Sequence, residues 1–551
     1  MTWTQVYDPF NNWIISTCVA ALPVLVLLGL LAGLRVRAHI CAIAGAATAI
    51  VVAIMAFGMP WQLAGSSFVY GMAFGLLKIV WIVIAAVYLY DLSVETGQFE
   101  IVKQSVAGIT PDRRLQLLLV AFCFGALIEG AAGFGTPVAI AGAFMIGLGF
   151  RPFQAAALNL IANTAPVAWG AIGTPVHTLA AVTALNESDL NAMIGRILPF
   201  LSVIVPIWLV RAMVNWEETF EVFPAILVVG SSFAATQWFW SNHMDSNLVD
   251  ITSGAVSMIC TLIFLRFWKP KKIWRFPDEP DTPPHTYTTG QVAKAWLPFI
   301  VLTVFVVAWG LPSVKGAMNK ATTPNFSKGG WEVPYLHRTV SRNVPVVVKP
   351  TPENAKFDFN WLTATGTGCF LAAIFSGLIV GVKPNTMTKV FRHTLYRLRF
   401  AIIAMTCMLG LGFITRYSGM DAVLGLAFTR TGGLFPFFGT YIGWLGVALT
   451  GSDTSSNALF GGLQRITAEQ LNLSPILMCA ANSAGGVMGK MIDAQSIVIA
   501  TAATNQVGNE GSIFRYVFWH SVALAAMVGI IVFTYAHVFP QYIPSGLNFV
   551  R

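Results

Sequence analysis

The sequence predicts an all-α polytopic membrane protein with about 12 transmembrane helices and two re-entrant hairpins, arranged as two inverted-topology repeats. Three observations predict this fold class. The 551 residues are 56% hydrophobic and only 10% charged, whereas soluble chains carry about 25% charged residues. Apolar stretches of about 20 residues recur, the length that a helix needs to cross a hydrocarbon layer ~30 Å thick. Two glycine-rich segments, each with one acid, then occur far apart in the chain.

The net charge of +9 would suggest a nucleic-acid partner for a soluble protein. Here Lys and Arg cluster in loops beside apolar stretches, as orientation signals of membrane proteins do. We therefore expect contact with the lipid bilayer and no nucleic-acid partner. The seven cysteines are scattered singly and the histidines show no paired spacing, so we expect no metal site, and no cofactor fingerprint is present.

The first region, residues 1–114, carries the N-terminal spans. They are predicted at 13–34, 40–58 and 67–90. Arg35 and Arg37 follow the first of them. Positive charges favour the cytoplasmic side, which puts the N-terminus outside.

The second region, residues 115–311, is predicted to hold the first repeat. A hairpin at 115–150 is apolar in both arms and broken at its centre by Gly130, Gly133, Gly135 and Pro137. An interrupted helix follows at 154–173. Further spans are predicted at 197–215, 222–240, 247–267 and 295–311.

Residues 312–360 form one long polar loop, which the order of spans places outside although it holds seven Lys or Arg residues. The second repeat is predicted within 361–551, and its C-terminus falls outside. Its elements are spans at 361–382 and 400–415, a hairpin at 435–464, a broken helix at 473–489 and a last span at 515–536. The charged loops make the chain enter the two hairpins from opposite sides, and this predicts that the repeats are inverted.

The evidence for a duplication is a recurring order of motifs. FGALIEGAAGFGTPV, which contains Glu129, aligns without gaps with LGVALTGSDTSSNAL, which contains Asp453, so that Gly130 matches Gly451. Ala-Asn-Thr-Ala at Asn163 and Ala-Asn-Ser-Ala at Asn482 then follow at similar distances. This order is typical of secondary transporters built from two repeats with broken helices.

Glu129 and Asp453 are the candidate proton-coupling residues. An acid within a membrane is costly and for that reason usually functional, and a buried carboxyl can load and release a proton. Each acid also has a structural alternative: Glu129 could bind the exposed N–H groups of a broken helix, and Asp453 could be the N-cap of the second arm.

The candidate substrate-binding residues offer backbone N–H groups or polar side chains near the predicted breaks. They are Gly130, Gly133, Gly135, Thr136, Asn163, Thr164, Ser452, Thr454, Ser455, Ser456, Asn457, Asn482, Ser483 and Lys490. The Asn-Thr and Asn-Ser pairs are expected to unwind the helices that face the hairpins, or alternatively to hydrogen-bond between helices. Lys490 could pair with Asp493 or bind a substrate carboxylate. Arg416 and Lys78 are interpreted as snorkelling side chains.

The strings EGAAGFG, GSDTSSNALF and GGVMGKMI followed by QS resemble those of the L-lactate permease family. The resemblance runs from Tyr7 to the last span. It implies a transporter of the bacterial inner membrane, and not an enzyme, that takes up L-lactate, D-lactate and glycolate together with protons.

Three other functions remain open from the residues alone. A sodium-coupled or exchange carrier for another small organic anion would suit the oxygen-rich segment around Asp453. An intramembrane enzyme would use Glu129 and Asp453 as acid and base, but the sequence lacks a nucleophile elbow and an HExxH motif. A passive channel is disfavoured because broken helices in repeats usually form a gated site.

Overall fold

The computed structural model describes residues 2–30, 34, 36–107, 109–133, 135–276, 287–310, 312–322, 330–347, 349–357, 359–506 and 509–544. Phe134 of the first glycine-rich segment and residues 323–329 of the long polar loop lie outside the described residues. The described chain is mainly helical, as its apolar stretches predict.

The N-terminal region consists of five helices. They are α1 (Trp13–Leu28), α2 (Ala38–Met55), α3 (Trp61–Phe74), α4 (Trp81–Glu95) and α5 (Gln98–Ala107). A π-helical segment, Gly75–Val80, joins α3 to α4, so that one continuous apolar run covers Trp61–Glu95.

In the next region a helix breaks at each of the two places that the glycines and polar residues predict. Its elements are α6 (Arg113–Leu117), a π-helix (Leu118–Phe124), α7 (Gly125–Ala132), α8 (Thr136–Gly147), α9 (Pro152–Ala162), a 3-10 turn (Val167–Trp169) and α10 (Gly170–Thr183). The arms α7 and α8 pack on each other across the first break. At the second break the chain bends by 63° between α9 and the segment Val167–Thr183.

Longer apolar helices surround these elements. They are α11 (Glu187–Met213), α12 (Trp216–Glu221), α13 (Phe223–His243), α14 (Val249–Phe267), α15 (Thr289–Gly310) and α16 (Pro312–Thr322). Asn215 caps the short helix α12 through a capping box with Glu218, in which each side chain satisfies a free N–H group of the other's backbone. Of these helices, α14 packs directly on α7.

The prediction of an all-α chain is wrong in one region, because the polar loop and the N-terminus form small sheets. The strands are β1 (Trp3–Thr4), β2 (Trp331–Glu332), β3 (Val340–Arg342), β4 (Thr351–Pro352) and β5 (Lys356–Phe357). β1 pairs in parallel with β3, β3 pairs with β4 in antiparallel fashion, and β2 pairs likewise with β5. The pairing places the N-terminus and the polar loop on the same side of the molecule, as the predicted topology requires.

The C-terminal region repeats the order of a hairpin followed by a broken helix. Its elements are α17 (Thr365–Val380), α18 (Pro384–Ser418), α19 (Met420–Phe428), a 3-10 segment (Thr429–Leu434), α20 (Phe435–Thr450), α21 (Asp453–Gln470), α22 (Pro475–Gly489), α23 (Ala494–Ala503), α24 (Glu510–His537) and a 3-10 turn (Pro540–Tyr542). The arms α20 and α21 pack on each other across the break at Gly451 and Ser452.

In the described part of the chain, seven helices are long and apolar enough to cross a membrane, or eight if the bent pair around Asn163 counts as one span. Four further apolar helices are shorter: Trp13–Leu27, His39–Met55, Thr136–Gly147 and Thr365–Val380. The protein is therefore a multi-pass membrane protein. The count of twelve spans, the re-entrant course of the hairpins and the inverted orientation of the repeats stay predictions.

The two repeats pack crosswise at the centre. The second arm of the first hairpin, α8, lies on α23, whereas the second arm of the other hairpin, α21, lies on α10. Each hairpin thus contacts the half-helix that follows the break of the opposite repeat. This arrangement brings both glycine-rich segments and both breaks into one buried region.

Candidate functional site

The tip of the first hairpin depends on two glycines. α7 ends at Gly133, with φ +58°, and α8 begins after Gly135, with φ +78°. Such positive φ angles are accessible to glycine at no steric cost, and Pro137 suits the first turn of the new helix. The break therefore leaves the N–H groups at the start of α8, near Thr136, without partners in their own helix.

Glu129 lies in α7, one turn before this tip, and only 3% of its surface is exposed. The side-chain amide of Asn163 donates a hydrogen bond to Glu129 Oε2 at 3.2 Å. A Cβ at Gly170 would lie 2.5 Å from Glu129 Oε1. The carboxyl thus occupies the space that Gly170 leaves open, at the start of α10.

The first broken helix carries the backbone strain of the site. α9 ends at Ala162, and the first turn of α10 contains Ala171 and Ile172 at φ +45° and +57°. A positive φ is unfavourable for a β-branched residue, and each such residue costs roughly 1–3 kcal/mol. Strain of this kind persists where the surrounding structure enforces it, most often at functional sites. The Thr164 hydroxyl donates a hydrogen bond to the carbonyl of Ile161, three residues earlier in the chain.

Gly130 has a different place from the one that the alignment predicts. It lies inside α7, where a Cβ would be 2.8 Å from Asp250 Cβ and 2.9 Å from the backbone N of Ile251. The residue that occupies the position of Gly451, a C-terminal helix cap with positive φ, is Gly133. Gly130 therefore allows α7 to approach α14 closely and is not part of the tip.

Asp453 is the buried acid of the second hairpin, with 3% of its surface exposed. Ser483 Oγ donates to Asp453 Oδ2 at 2.5 Å, and Asn457 Nδ2 donates to the same oxygen at 3.3 Å. The other oxygen, Oδ1, has no hydrogen-bond partner among the described residues. It lies directly over Gly486, where a Cβ would clash with it.

A network of side-chain amides fixes the surroundings of Asp453. Asn482 Nδ2 donates to Asn457 Oδ1 at 2.9 Å, and Gln464 Nε2 donates to Asn482 Oδ1 at 3.2 Å. Asn457 Nδ2 also approaches the carbonyl of Pro175 in α10 at 3.2 Å. The network therefore ties the second hairpin to the broken helix of the first repeat.

The segment that follows Gly451 has divided roles. Ser452, and not Asp453, is the N-cap of α21, because its hydroxyl accepts the N–H of Ser455. The prediction that Asp453 could serve as this cap is therefore wrong. Thr454 Oγ1 lies 3.4 Å from Thr174 Oγ1 across the repeats, whereas Ser456 donates to the carbonyl of Gly443 in the other arm.

The helix that carries Asn482 and Ser483 is not unwound there, contrary to prediction. α22 continues through both residues to Gly489, since their side chains donate hydrogen bonds to Asn457 and Asp453 of the hairpin and leave the helical backbone intact. The break falls at residues 490–493, where Asp493 caps α23 by accepting the N–H of Ser496 at 2.7 Å. In the first repeat the break does follow Asn163 as predicted.

Lys490 lies at this second break and is 5% exposed. Its Nζ donates to the carbonyl of Gly451 at 2.6 Å and lies 3.3 Å from Asp493 Oδ2. The predicted pairing with Asp493 is thus confirmed. Lys490 is also close enough to interact electrostatically with both Glu129 and Asp453. One cation therefore acts on the buried acids of both repeats.

Asp250 is a further buried acid that the sequence analysis missed. It lies in the first turn of α14, is 1% exposed, and neither carboxyl oxygen has a hydrogen-bond partner among the described residues. A helix N-terminus stabilises a negative charge by about 0.3–1 kcal/mol, whereas burying an uncompensated ion costs several kcal/mol. The cost of burial is the larger of the two, so the environment favours a neutral Asp250.

Arg416 and Lys78 lie away from these acids. Arg416 lies in the last turn of α18 and pairs with Glu353 of the polar loop at 3.0 Å. Burial alone would raise the pKa of Glu353, but Arg416 and Arg342 lower it to about 2. Lys78 Nζ lies 5.2 Å from the ring centroid of Phe74, a cation–π distance.

These features define a class of protein, namely a polytopic helical membrane protein whose buried acids meet where two interrupted helices and two hairpin tips converge. The profile of the L-lactate permease family matches residues 16–539. The chain therefore belongs to the L-lactate permease family, as its motifs imply.

Named relatives cover nearly the whole chain. The glycolate permease GlcA of Escherichia coli is 46% identical, over 99% of this chain and 100% of its own length. The L-lactate permease of Salmonella typhimurium is 44% identical, over 98% and 100%. That of Bacillus subtilis is 41% identical, over 99% and 100%.

Two solved transporter structures are similar at 12% sequence identity. MtrF from Neisseria gonorrhoeae, of a class of antimetabolite efflux pumps, gives a TM-score of 0.44 over 87% of this chain and 84% of its own. The YdaH transporter of Alcanivorax borkumensis gives 0.46 over 87% and 88%.

Proposed function

We propose that the protein is a proton-coupled symporter of L-lactate and related short 2-hydroxy monocarboxylates, including D-lactate and glycolate. It works by alternating access in the bacterial inner membrane, with both termini in the periplasm. The family and the names of its lactate and glycolate permeases support this class of substrate.

The observation that carries the proposal is the excess of buried acids around one cation. Glu129, Asp453 and Asp493 surround Lys490, and a low-dielectric interior tolerates that balance only if further positive charge is present. Protons that bind to Glu129 and Asp453 in the course of the transport cycle supply that charge, since no cation among the described residues contacts either acid directly. Loading and release of these protons would couple transport to the proton gradient.

Lys490 is the group that we assign to the substrate carboxylate. Its bonds in this conformation go to the carbonyl of Gly451 and to Asp493. A bound carboxylate would replace the carbonyl and receive a charge-assisted hydrogen bond, which is stronger than a neutral one. The N-termini of α8 and α21 add partial positive charge beside it.

The 2-hydroxyl group of the substrate requires a neutral polar partner. Thr454 and Thr174, whose hydroxyls face each other at 3.4 Å, offer donor and acceptor groups between the repeats. The amides of Asn457 and Asn163 lie nearby in the same two half-sites. A substrate held between these groups would bridge the repeats, so that release requires the repeats to separate on one side.

The test is uptake of labelled L-lactate by proteoliposomes that contain the purified protein. One set receives an inwardly directed proton gradient and the other a sodium gradient of equal size. Accumulation with the proton gradient alone is the expected result. Accumulation with sodium alone would replace proton coupling by sodium coupling at the oxygens around Asp453, and no accumulation in either set would contradict the assigned substrate.

A further inference from the structure

Asp250 is unusual among the buried acids. In the part of the chain that the structure describes, no other carboxyl group has both oxygens buried without a hydrogen-bond partner. Asp453 and Asp493 each keep at least one bonded oxygen. A buried polar side chain without a partner is rare in native structures and calls for an unseen ligand or a functional role.

The position of Asp250 connects it to Glu129. Its Cβ lies against Gly130, the residue next to Glu129 in α7, at a distance that only glycine permits. The negative charge that acts on Asp250 is that of Glu129. Two buried carboxylates on packed helices, one of them without any hydrogen-bond partner among the described residues, cannot both stay ionised, so one of them must hold a proton.

The other titratable groups around the pair are already engaged. His177 of α10 bonds Asn247, just before α14, at 2.9 Å and Glu187 at 2.9 Å. Cys123, in the π-helix that precedes α7, contacts Ser257 further along α14. On the opposite side, Lys490 and Asp493 act on Glu129. Lys490 therefore stabilises charge on Glu129, although Asp493 opposes it, whereas no cation among the described residues does so for Asp250.

The inference that follows rests on proton coupling as proposed above. We propose that Asp250 holds a proton in this conformation and exchanges it with Glu129, so that the first repeat carries a pair of proton-transferring carboxyls. Because the two carboxyls share no hydrogen bond in this conformation, the transfer passes through a bridging water molecule. The O–H bond at Asp250 breaks as the water accepts its proton, the water gives up another proton, and an O–H bond forms at ionised Glu129. Asp250 takes over the negative charge.

The first arm of the test uses Asp250→Asn, which mimics the protonated acid but cannot release a proton. Uptake driven by a proton gradient should fall at least about tenfold, because a positioned proton donor is lost. Exchange of labelled for unlabelled lactate should stay near the native rate. Asp245→Asn is the matched control, since Asp245 is a partly exposed acid just before α14 and should leave both rates unchanged.

The second arm is infrared spectroscopy of the purified protein at neutral pH. The difference spectrum of the native protein minus Asp250→Asn should contain the carbonyl stretch of a protonated carboxylic acid, and Asp245→Asn should not remove it. If Asp250→Asn accumulates poorly, the double variant Glu129→Gln with Asp453→Asn should keep such a band. Absence of the band overturns the proposal.

The outcomes separate the two levels of the argument. If a proton gradient drives lactate uptake by the native protein and by Asp250→Asn at the same rate, the role of Asp250 is overturned and the proposed function stands. If a sodium gradient drives lactate uptake by the native protein and a proton gradient does not, the proposed function is overturned, whatever the infrared result.

Discussion

The two repeats hold their buried acids in different ways. In the first repeat Glu129 lies in the arm before the tip and accepts one hydrogen bond among the described residues, from Asn163 at 3.2 Å. In the second repeat Asp453 lies in the arm after the tip and accepts two, from Ser483 at 2.5 Å and Asn457 at 3.3 Å. The first acid adjoins strained backbone and an unpartnered Asp250, whereas the second lies in a network of amides.

We interpret this difference as a division of labour. The members of the Asp453 network bond one another, and such bonds restrict the network to few geometries. That suits a carboxyl that recognises the substrate as well as binding a proton. Glu129 has fewer bonds to break when it changes its protonation state, which suits the step that couples proton movement to a change of conformation. The predictions below test this contrast, from the largest expected effect to the smallest.

Glu129→Gln should reduce proton-driven uptake to the level of empty liposomes, because an amide cannot carry the coupling proton. Lactate exchange at equal pH should persist at a measurable rate, since binding does not depend on Glu129. Both rates are measured with labelled lactate in proteoliposomes. Full proton-driven uptake by this variant would remove Glu129 from coupling and abolish the contrast between the repeats.

Asp453→Asn should reduce proton-driven uptake and exchange together, by about 10- to 100-fold, the size expected when a hydrogen bond to a charged group is lost. Size-exclusion chromatography and thermal melting in detergent should show a folded protein. Loss of uptake with intact exchange would mean that Asp453 acts in coupling only, as Glu129 does, and that it does not also recognise the substrate.

Lys490→Ala should raise the lactate concentration for half-maximal exchange by about tenfold or more, since a cation–carboxylate contact is worth roughly 1.5–3 kcal/mol. Lys490→Arg keeps the charge and is the control, with a smaller increase. The concentration dependence of exchange is the measurement. An unchanged half-maximal concentration in Lys490→Ala would contradict substrate binding by this residue.

Ser483→Ala and Asn163→Ala form a matched pair, because each removes one donor to a buried acid. The first should impair exchange by about 10-fold, since the shorter bond to Asp453 is lost, and the second by no more than about threefold. Asn163→Ala should instead shift the pH dependence of uptake. Equal effects of the two variants on exchange would argue against unequal roles of the half-sites.

Glu353→Gln concerns a buried acid with full ionic partners, and its effect on transport should be the smallest. The pKa of Glu353 lies near 2 because Arg416 and Arg342 stabilise its charge. Its stability contribution, roughly 3 kcal/mol by the pKa difference, is complete above its ordinary value of 4.5 and is lost as the pH falls towards 2. The melting temperature of the variant should therefore lie below that of the native protein at pH 7, and the difference between the two melting temperatures should narrow below about pH 4.

Much of the fold follows from local rules that the sequence displays. Apolar length predicts membrane helices, and Gly133, Gly135 and Pro137 predict a break in the first hairpin because only such residues suit it. The small strands of the polar loop are only two or three residues long. Their pairing depends on contacts between segments that are distant in sequence, and strands this short show no local periodicity that predicts them.

The site was predictable where a residue type has one dominant use and unpredictable where packing decides. The acids Glu129 and Asp453 stand out as charges among apolar residues. The position of the second break does not, because Asn482 and Ser483 remain helical once the hairpin satisfies their side chains, and Asp493 caps the helix that follows. Asp250 was overlooked because an acid in the first turn of a helix is ordinary in sequence and only its burial makes it unusual.

The most direct test of the account is the measurement of proton movement with lactate movement in the same vesicles. Lactate is added to proteoliposomes in weakly buffered medium without any imposed gradient, and the external pH is recorded. The account predicts alkalinisation of the medium with the native protein and none with Glu129→Gln, while both variants still exchange labelled lactate. Alkalinisation of equal size with Glu129→Gln, or none with native protein that takes up lactate, would contradict it.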